Sequence, residues 1–238
     1  YALLPVVMSI FVLMTKTESP KSFLSHLLLF ILGCLVLLIS HPSALFAGIV
    51  LIYPYGVREV YRRSRQQMGG KVVPLLFSLA FTLLVCGFWT ACYYSPVFAS
   101  TVMFNWPAFS SGSQAVGNIL SLALNRVSAQ QIVLSALAFI GIASCVMERS
   151  NRWMIASWCL ACFIYFVDIT REGWFKHFLA GFWYTDSLRV AAVVAMSCIP
   201  LAALGFSVVT EATFRAIDEA DKKKAWLAIA AASALLVY

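Results

Sequence analysis

The chain is a succession of continuous apolar runs separated by charged turns, without the two-residue alternation that a lipid-facing barrel strand needs. Eight runs are legible: 1–14, 23–39, 44–57, 72–94, 132–147, 153–167, 190–209 and one from 226 onward. A spanning helix takes about 20 apolar residues, with a lower limit near 17. The run 72–94 is therefore the cleanest span. The run 44–57, broken by Tyr53-Pro54-Tyr55-Gly56, is expected to stop short of full thickness, and Pro200 is expected to kink the run 190–209. The fold class this predicts is all-α: a polytopic helical membrane protein with about eight transmembrane helices in one transmembrane domain over 1–238. The chain starts at Tyr1 without a Met and ends at Tyr238 inside an apolar run. It reads as a fragment of a longer chain, cut within a membrane segment at both ends.

The connections divide into short and long. The turn Ser40-His41-Pro42-Ser43 is tight, with Pro42 at a first helical position and serines able to cap. Two connections are long, 94–131 and 168–189, and loops of that length are more often functional than plain connectors. Within the first, Val116, Ile119, Leu120, Leu122 and Leu124 recur with helical spacing over 114–125, which predicts a short helix along the membrane surface. The stretch 210–224 predicts a helical connector with Asp218 and Lys222, and Glu219 and Lys223, four apart for surface pairs.

Composition agrees with this class. Of 238 residues 62% are hydrophobic and 11% charged, with a mean hydropathy of +0.88, far from any soluble globular domain. The net charge of +7 would suggest nucleic acid in a soluble protein, but here its distribution reads as topology. Of the 17 Lys and Arg, all but Arg126, Arg171, Lys176 and Arg189 fall on alternate connections, around Lys16, 58–71, Arg149 and Lys222. The positive-inside rule makes that set cytoplasmic and turns both long loops outward on one surface of a cell membrane. The basic stretch 58–71 is also compatible with binding anionic membrane lipid, while so short a loop does not suit nucleic acid. The seven cysteines lie in or beside apolar spans, where a thiol is a small hydrophobe. Cys159 and Cys162 have metal-like spacing but no second pair nearby.

The candidate chemistry gathers at Phe182-Trp183-Tyr184-Thr185-Asp186-Ser187-Leu188-Arg189. Asp186 or Thr185 can cap the following helix. Arg189 sits in its first turn, where the macrodipole disfavours a cation and hydrocarbon begins, so it is expected to have a partner. Two readings stay open. Asp186, three residues back, makes a local ion pair that anchors the helix end, or Arg189, framed by Trp183 and Tyr184, holds an anionic head group such as a lipid phosphate or pyrophosphate. His177, Trp106 and His41 are further substrate-binding candidates on the same face, with a turn role as the alternative for His41. Asp168, Glu172 and Asp186 are the whole outer acidic inventory. Asp168 or Glu172 would be the carboxylate available for base duty in an enzyme, and the two, four apart, could take a divalent metal ion, the one cofactor the sequence leaves open, or play a solvated structural role.

Leu179-Ala180-Gly181-Phe182-Trp183-Tyr184-Thr185-Asp186-Ser187-Leu188-Arg189, followed by 200–205, resembles a large family of uncharacterised multi-pass membrane proteins from actinobacteria. Asn105-Trp106-Pro107-Ala108-Phe109 and His41-Pro42-Ser43-Ala44 look like the same family, and the Trp-Tyr-x-Asp-x-x-Arg element is the most specific part. In layout such proteins are similar to the GT-C integral membrane glycosyltransferases, which use polyprenyl-phosphate sugars on the outer face. The resemblance implies a polyprenyl-phosphate sugar donor, an envelope glycan acceptor and an acidic residue as catalytic base in a first outer loop upstream of Tyr1, with the residues above in supporting roles. Two other functions compete: a lipid or polysaccharide transporter or flippase, disfavoured by the scarcity of charge inside the spans, and a non-catalytic envelope assembly protein that uses its aromatic loops to bind a partner.

Overall fold

The computed structural model describes residues 3–124, 130–216, 226, 227 and 229. Among the described residues ten helices follow one another: α1 (Leu4–Lys16), α2 (Pro20–Ser40), α3 (Pro42–Met68), α4 (Val72–Tyr94), α5 (Ala99–Val102), α6 (Gly112–Leu120), α7 (Ile132–Met147), α8 (Arg152–Thr170), α9 (Trp174–Ala180) and α10 (Ser187–Ala216). Tight 3-10 turns at Arg149–Asn151 and Gly181–Trp183 lead into α8 and out of α9. No strand occurs among the described residues.

Five helices (α2, α3, α4, α8 with its preceding turn, and α10) are long and apolar enough to cross a membrane, while α1 and α7 are apolar but shorter. The protein is thus an all-helical, multi-pass membrane protein with five such spans among the described residues. The expected eighth run, the 218/222 and 219/223 pairs, and Arg126 lie wholly or largely outside those residues.

Burial ranks the helices. The apolar window of α3 is 56% buried, against 6% for α2 and 11% for α4. So α3 is the centre of the bundle, and α2 and α4 give most of their leucines to lipid. Around it pack α1, α2, α4 and α8; α10 lies against α7 and α8.

The expected break at Tyr53-Pro54-Tyr55-Gly56 does not occur, since α3 runs through Pro54 to Met68. Neighbouring helices hold the backbone on both sides of the proline, which removes one helical hydrogen bond. Tyr53 Oη lies 3.0 Å from Thr82 Oγ1 of α4, and Tyr55 Oη 2.8 Å from Thr15 Oγ1 of α1. Gly56 lets the Phe81 ring approach to where a Cβ would come within 2.9 Å of it. The basic stretch after Val57 is likewise helix rather than loop as far as Met68. Buried Glu59 anchors it by pairing with Arg62 and Arg63, three and four residues on. Gly69 and Gly70, at φ 65° and 66°, then end it in the left-handed region that glycine tolerates. Helix α10 similarly continues through Pro200.

The α7–α10 crossing depends on two glycines. A Cβ on Gly141 would lie 1.8 Å from the Leu201 carbonyl oxygen, and one on Gly205 1.9 Å from that of Leu137. Close backbone approach through small residues is how apolar helices associate where lipid removes the hydrophobic incentive. Both Gly141→Ala and Gly205→Ala must therefore push the helices apart, and we expect each to destabilise the protein by about 2 kcal/mol or more. Gly87→Ala, whose Cβ would meet nothing within 4 Å, should be silent. Thermal unfolding in detergent measures all three, and a Gly205→Ala variant as stable as Gly87→Ala would refute this packing.

Candidate functional site

An aromatic cage at one end of the bundle positions the site. Phe182 stacks on Phe46 of α3 with ring centroids 3.5 Å apart, and Trp89 of α4 stands edge-on to both, at 5.2 Å from Phe46 and 4.9 Å from Phe182. Trp89 Nε1 donates to the Phe178 carbonyl at 2.9 Å. Gly181 fits against the Val102 backbone, where a Cβ would come within 2.9 Å. The turn after α9 is thereby sunk into the helical core.

Immediately beyond it, Tyr184 and Thr185 adopt φ of 62° and 48°. A β-branched residue is strained in that region and persists only when its surroundings over-determine it. Thr185, fully buried, does have such surroundings: its hydroxyl donates to the Phe104 carbonyl at 3.0 Å and accepts the Trp106 N–H at 2.8 Å. The other end of the Trp106 peptide region is held too, because the ammonium of Lys176, 1% exposed, donates to the Trp106 carbonyl. Glu172 accepts the Ala108 N–H, and the Ile169 carbonyl accepts the N–H groups of Phe109 and Ser110 at 3.1 and 3.0 Å. Residues 104–110 are in this way laced to the end of α8, to α9 and to the start of α10.

Between these pieces lies a cavity of about 250 Å³ walled by Trp106, Pro107, Phe109, Asp168, Thr185, Asp186, Ser187 and Leu188. Asp168 is 1% exposed, and neither of its carboxylate oxygens has a hydrogen-bond partner among the described residues. Lys176, its natural counter-ion, is committed to Trp106 and lies 3.9 Å from Glu172. A buried carboxylate left in this state is costly unless something in the cavity meets it.

At the rim, Asp186 caps α10: its Oδ1 accepts the Leu188 N–H at 2.9 Å, and its Oδ2 is 3.3 Å from Arg189 Nε. The Arg189 guanidinium also lies over the Tyr184 ring, 4.6 Å from the centroid. The expected ion pair and the expected aromatic frame for Arg189 thus coexist, with Tyr184 as the ring. Phe104, which stands 6.1 Å from Tyr184 and 6.0 Å from Trp106, completes an exposed aromatic edge.

The structure brings together Asp168, Asp186, Trp106, Tyr184 and Arg189, and leaves the other candidates elsewhere. Trp183 is fully buried, 6.2 Å from Trp89 in the cage, so it supports the turn from below rather than framing Arg189. His177 Nδ1 is 2.7 Å from the Val102 carbonyl oxygen and fastens α9 to α5. His41 is exposed at the start of α3 and is not part of the cavity wall. Glu172 turns to the loop backbone instead of to Asp168, so the two do not share a site. Among the described residues no group of three or more His, Cys, Asp or Glu could hold a metal ion. Sequence reasoning gave no role to Lys176 and did not foresee that Thr185 would be the link. The signal for Asp168 was available, as an acid terminating an otherwise apolar run.

A family model described as a family of unknown function (DUF6541) matches residues 1–238. No curated protein and no solved structure matches the chain.

The Ala108 N–H, and after it the nearby Lys176 charge, hold the Glu172 carboxyl below the usual carboxylate range. A folded-state pKa below the unfolded one gives stability that is present above about pH 4.3 and lost as pH falls through the folded value. Hydrogen-exchange protection of the Ala108 amide is accordingly expected to fall on acidification, and in Glu172→Ala to be low at every pH. Wild-type protection that persists unchanged through that range would refute the tether.

Proposed function

The chain belongs to the DUF6541 family of unknown function, and from the geometry of its loop end we propose that it is a GT-C-like glycosyltransferase of the cell envelope. In this reading the basic connections are cytoplasmic, the loop end faces outward, and the substrates are a polyprenyl-phosphate sugar and an envelope glycan acceptor. The observation that carries the reading is the buried Asp168 carboxylate, without a hydrogen-bond partner among the described residues, in a cavity walled by Trp106, Phe109 and the Asp186 that pairs with Arg189.

Each group then has a role set by its surroundings. A sugar hydroxyl is the neutral donor that an orphan carboxylate accepts best, so Asp168 takes the acceptor hydroxyl and removes its proton as that oxygen attacks the anomeric carbon. The bond from anomeric carbon to phosphate oxygen breaks as the new glycosidic bond forms. The polyprenyl phosphate leaves with the electron pair. Arg189, kept in place by Asp186 and Tyr184, receives the phosphate charge. Trp106 and Tyr184 offer the flat apolar faces against which sugar rings pack. This assigns the base to Asp168, where the resemblance alone places it upstream of Tyr1. The uninterrupted courses of α3 and α10 through their prolines weigh against the broken-helix architecture of a transporter.

Lipid extracts of cells lacking the protein should, by mass spectrometry, accumulate a polyprenyl-phosphate sugar that the wild-type gene clears. Asp168→Asn is expected to reduce clearance at least 100-fold, and Arg189→Ala about 10- to 100-fold. Asp168→Asn should also fold as stably as wild type or more so, because it removes a buried charge that no described residue hydrogen-bonds. An unchanged lipid profile on deletion, or full clearance by Asp168→Asn, would overturn the proposal.

A further inference from the structure

At the opposite end of the bundle a second polar concavity has no part in this chemistry. Arg58, Arg62, Arg65 and Gln66 of α3 line it together with Arg149 and Ser150 of the turn before α8, around an open volume of about 700 Å³. We propose that it is a binding site for the phosphate headgroup of an anionic phospholipid.

Spacing and accounting of charge support this. Arg58, Arg62 and Arg65 follow at intervals of four and three, which puts their guanidiniums on one stripe of α3. Arg63, off that stripe, turns to Glu59, with Nε 3.7 Å from Oε1. Like charges stacked along one helix face repel, and a fourth arginine joins them from a stretch more than eighty residues away in sequence. Among the described residues the nearby acids pair with Arg62 but not with Arg58, Arg65 or Arg149. Glu59 is buried and engaged by Arg62 Nε at 3.0 and 3.1 Å, and Glu148 accepts from Ser150 Oγ at 2.6 Å and Asn151 Nδ2 at 3.3 Å. Among the described residues Arg58, Arg65 and Arg149 form no ion pair. Basic residues that only orient a chain have no need to converge; these meet at one concavity with hydrogen-bonding neighbours, the arrangement that grips a phosphate with bidentate contacts.

Depth selects lipid over a soluble anion. Measured from Pro42 at 1.5 Å per residue, Arg58 lies about 24 Å along α3 and Arg65 about 35 Å. With Pro42 placed at one edge of a hydrocarbon core of about 30 Å, the arginine stripe runs across the opposite edge into the headgroup layer. One turn further in, the Tyr55 and Trp153 rings meet at 5.2 Å, which is the aromatic pairing expected at such an interface.

The test uses the purified full chain in phosphatidylcholine nanodiscs doped with phosphatidylglycerol, with native mass spectrometry counting the phosphatidylglycerol retained. An arginine near an anionic headgroup contributes roughly a fivefold change in binding. Arg149→Gln should therefore weaken retention about fivefold, and Arg58→Gln/Arg65→Gln/Arg149→Gln about 100-fold. Arg215→Gln, whose guanidinium already pairs with Glu211 at 2.6 Å, should stay within about twofold of wild type by the same reasoning. Arg149 sits on a turn, so its single variant decides the matter even if the triple variant folds poorly. Retention unchanged in Arg149→Gln would overturn the proposal, as would an equal loss in Arg215→Gln, which would mean diffuse surface charge. Displacement of phosphatidylglycerol by millimolar inorganic phosphate would overturn it too, by identifying a soluble-anion site.

Discussion

The loop end of this protein depends on the burial of one turn. Gly181, Phe182 and Trp183 enter an aromatic cage made by α3, α4 and the segment around α5, and the Phe46–Phe182 stack fixes their depth. Aromatic side chains bury the largest areas in such a core and prefer defined mutual geometries. Once the turn is seated, the next two residues must reverse direction to reach the start of α10, and they do so at positive φ. The strain at Thr185 is offset by its two hydrogen bonds to the 104–106 backbone. Packing in the apolar interior is thereby converted into the position of a polar loop.

That loop explains how a membrane protein can keep a carboxylate out of water at the end of a span. Lys176 on α9 and Glu172 in the turn before it are spent on the backbone of residues 106 and 108 rather than on Asp168. Turning Lys176 to Asp168 to neutralise it would release the Trp106 carbonyl and with it the loop that walls the cavity. The arrangement therefore trades electrostatic satisfaction of Asp168 for an enclosed polar space. Active and binding sites commonly carry unsatisfied groups of this kind, with the cost met by the rest of the fold.

The two ends of the bundle solve opposite problems. At the loop end, charge is enclosed and aromatic edges are exposed around it. At the other end, α3 continues past its apolar stretch with its arginines, and among the described residues buried Glu59 pairs with two of them. The helix continues there because i,i+3 and i,i+4 pairing supports it and because Gly69 and Gly70 supply its stop. Between the ends, α3 is held through Pro54 by contacts from α1 and α4, so one long helix joins the two polar regions.

Hydrophobic periodicity and length were enough to determine the all-helical, multi-pass class, since hydrocarbon leaves a backbone few options besides helix. The motif around Asp186 and Arg189 was legible for the same local reason: a cap, its i+3 partner and an adjacent ring interact within one turn of chain. Whether α3 survives its proline was not legible, because that depends on Phe81, Thr82 and Thr15 from other helices. Nor was the fate of Trp183, since an interfacial tryptophan and a caged one look alike in sequence. The contact of Thr185 with Phe104 and Trp106, some eighty residues away, and the commitment of Lys176 to Trp106 instead of Asp168, were decided by tertiary structure alone: no local pattern encodes which distant backbone a side chain will meet.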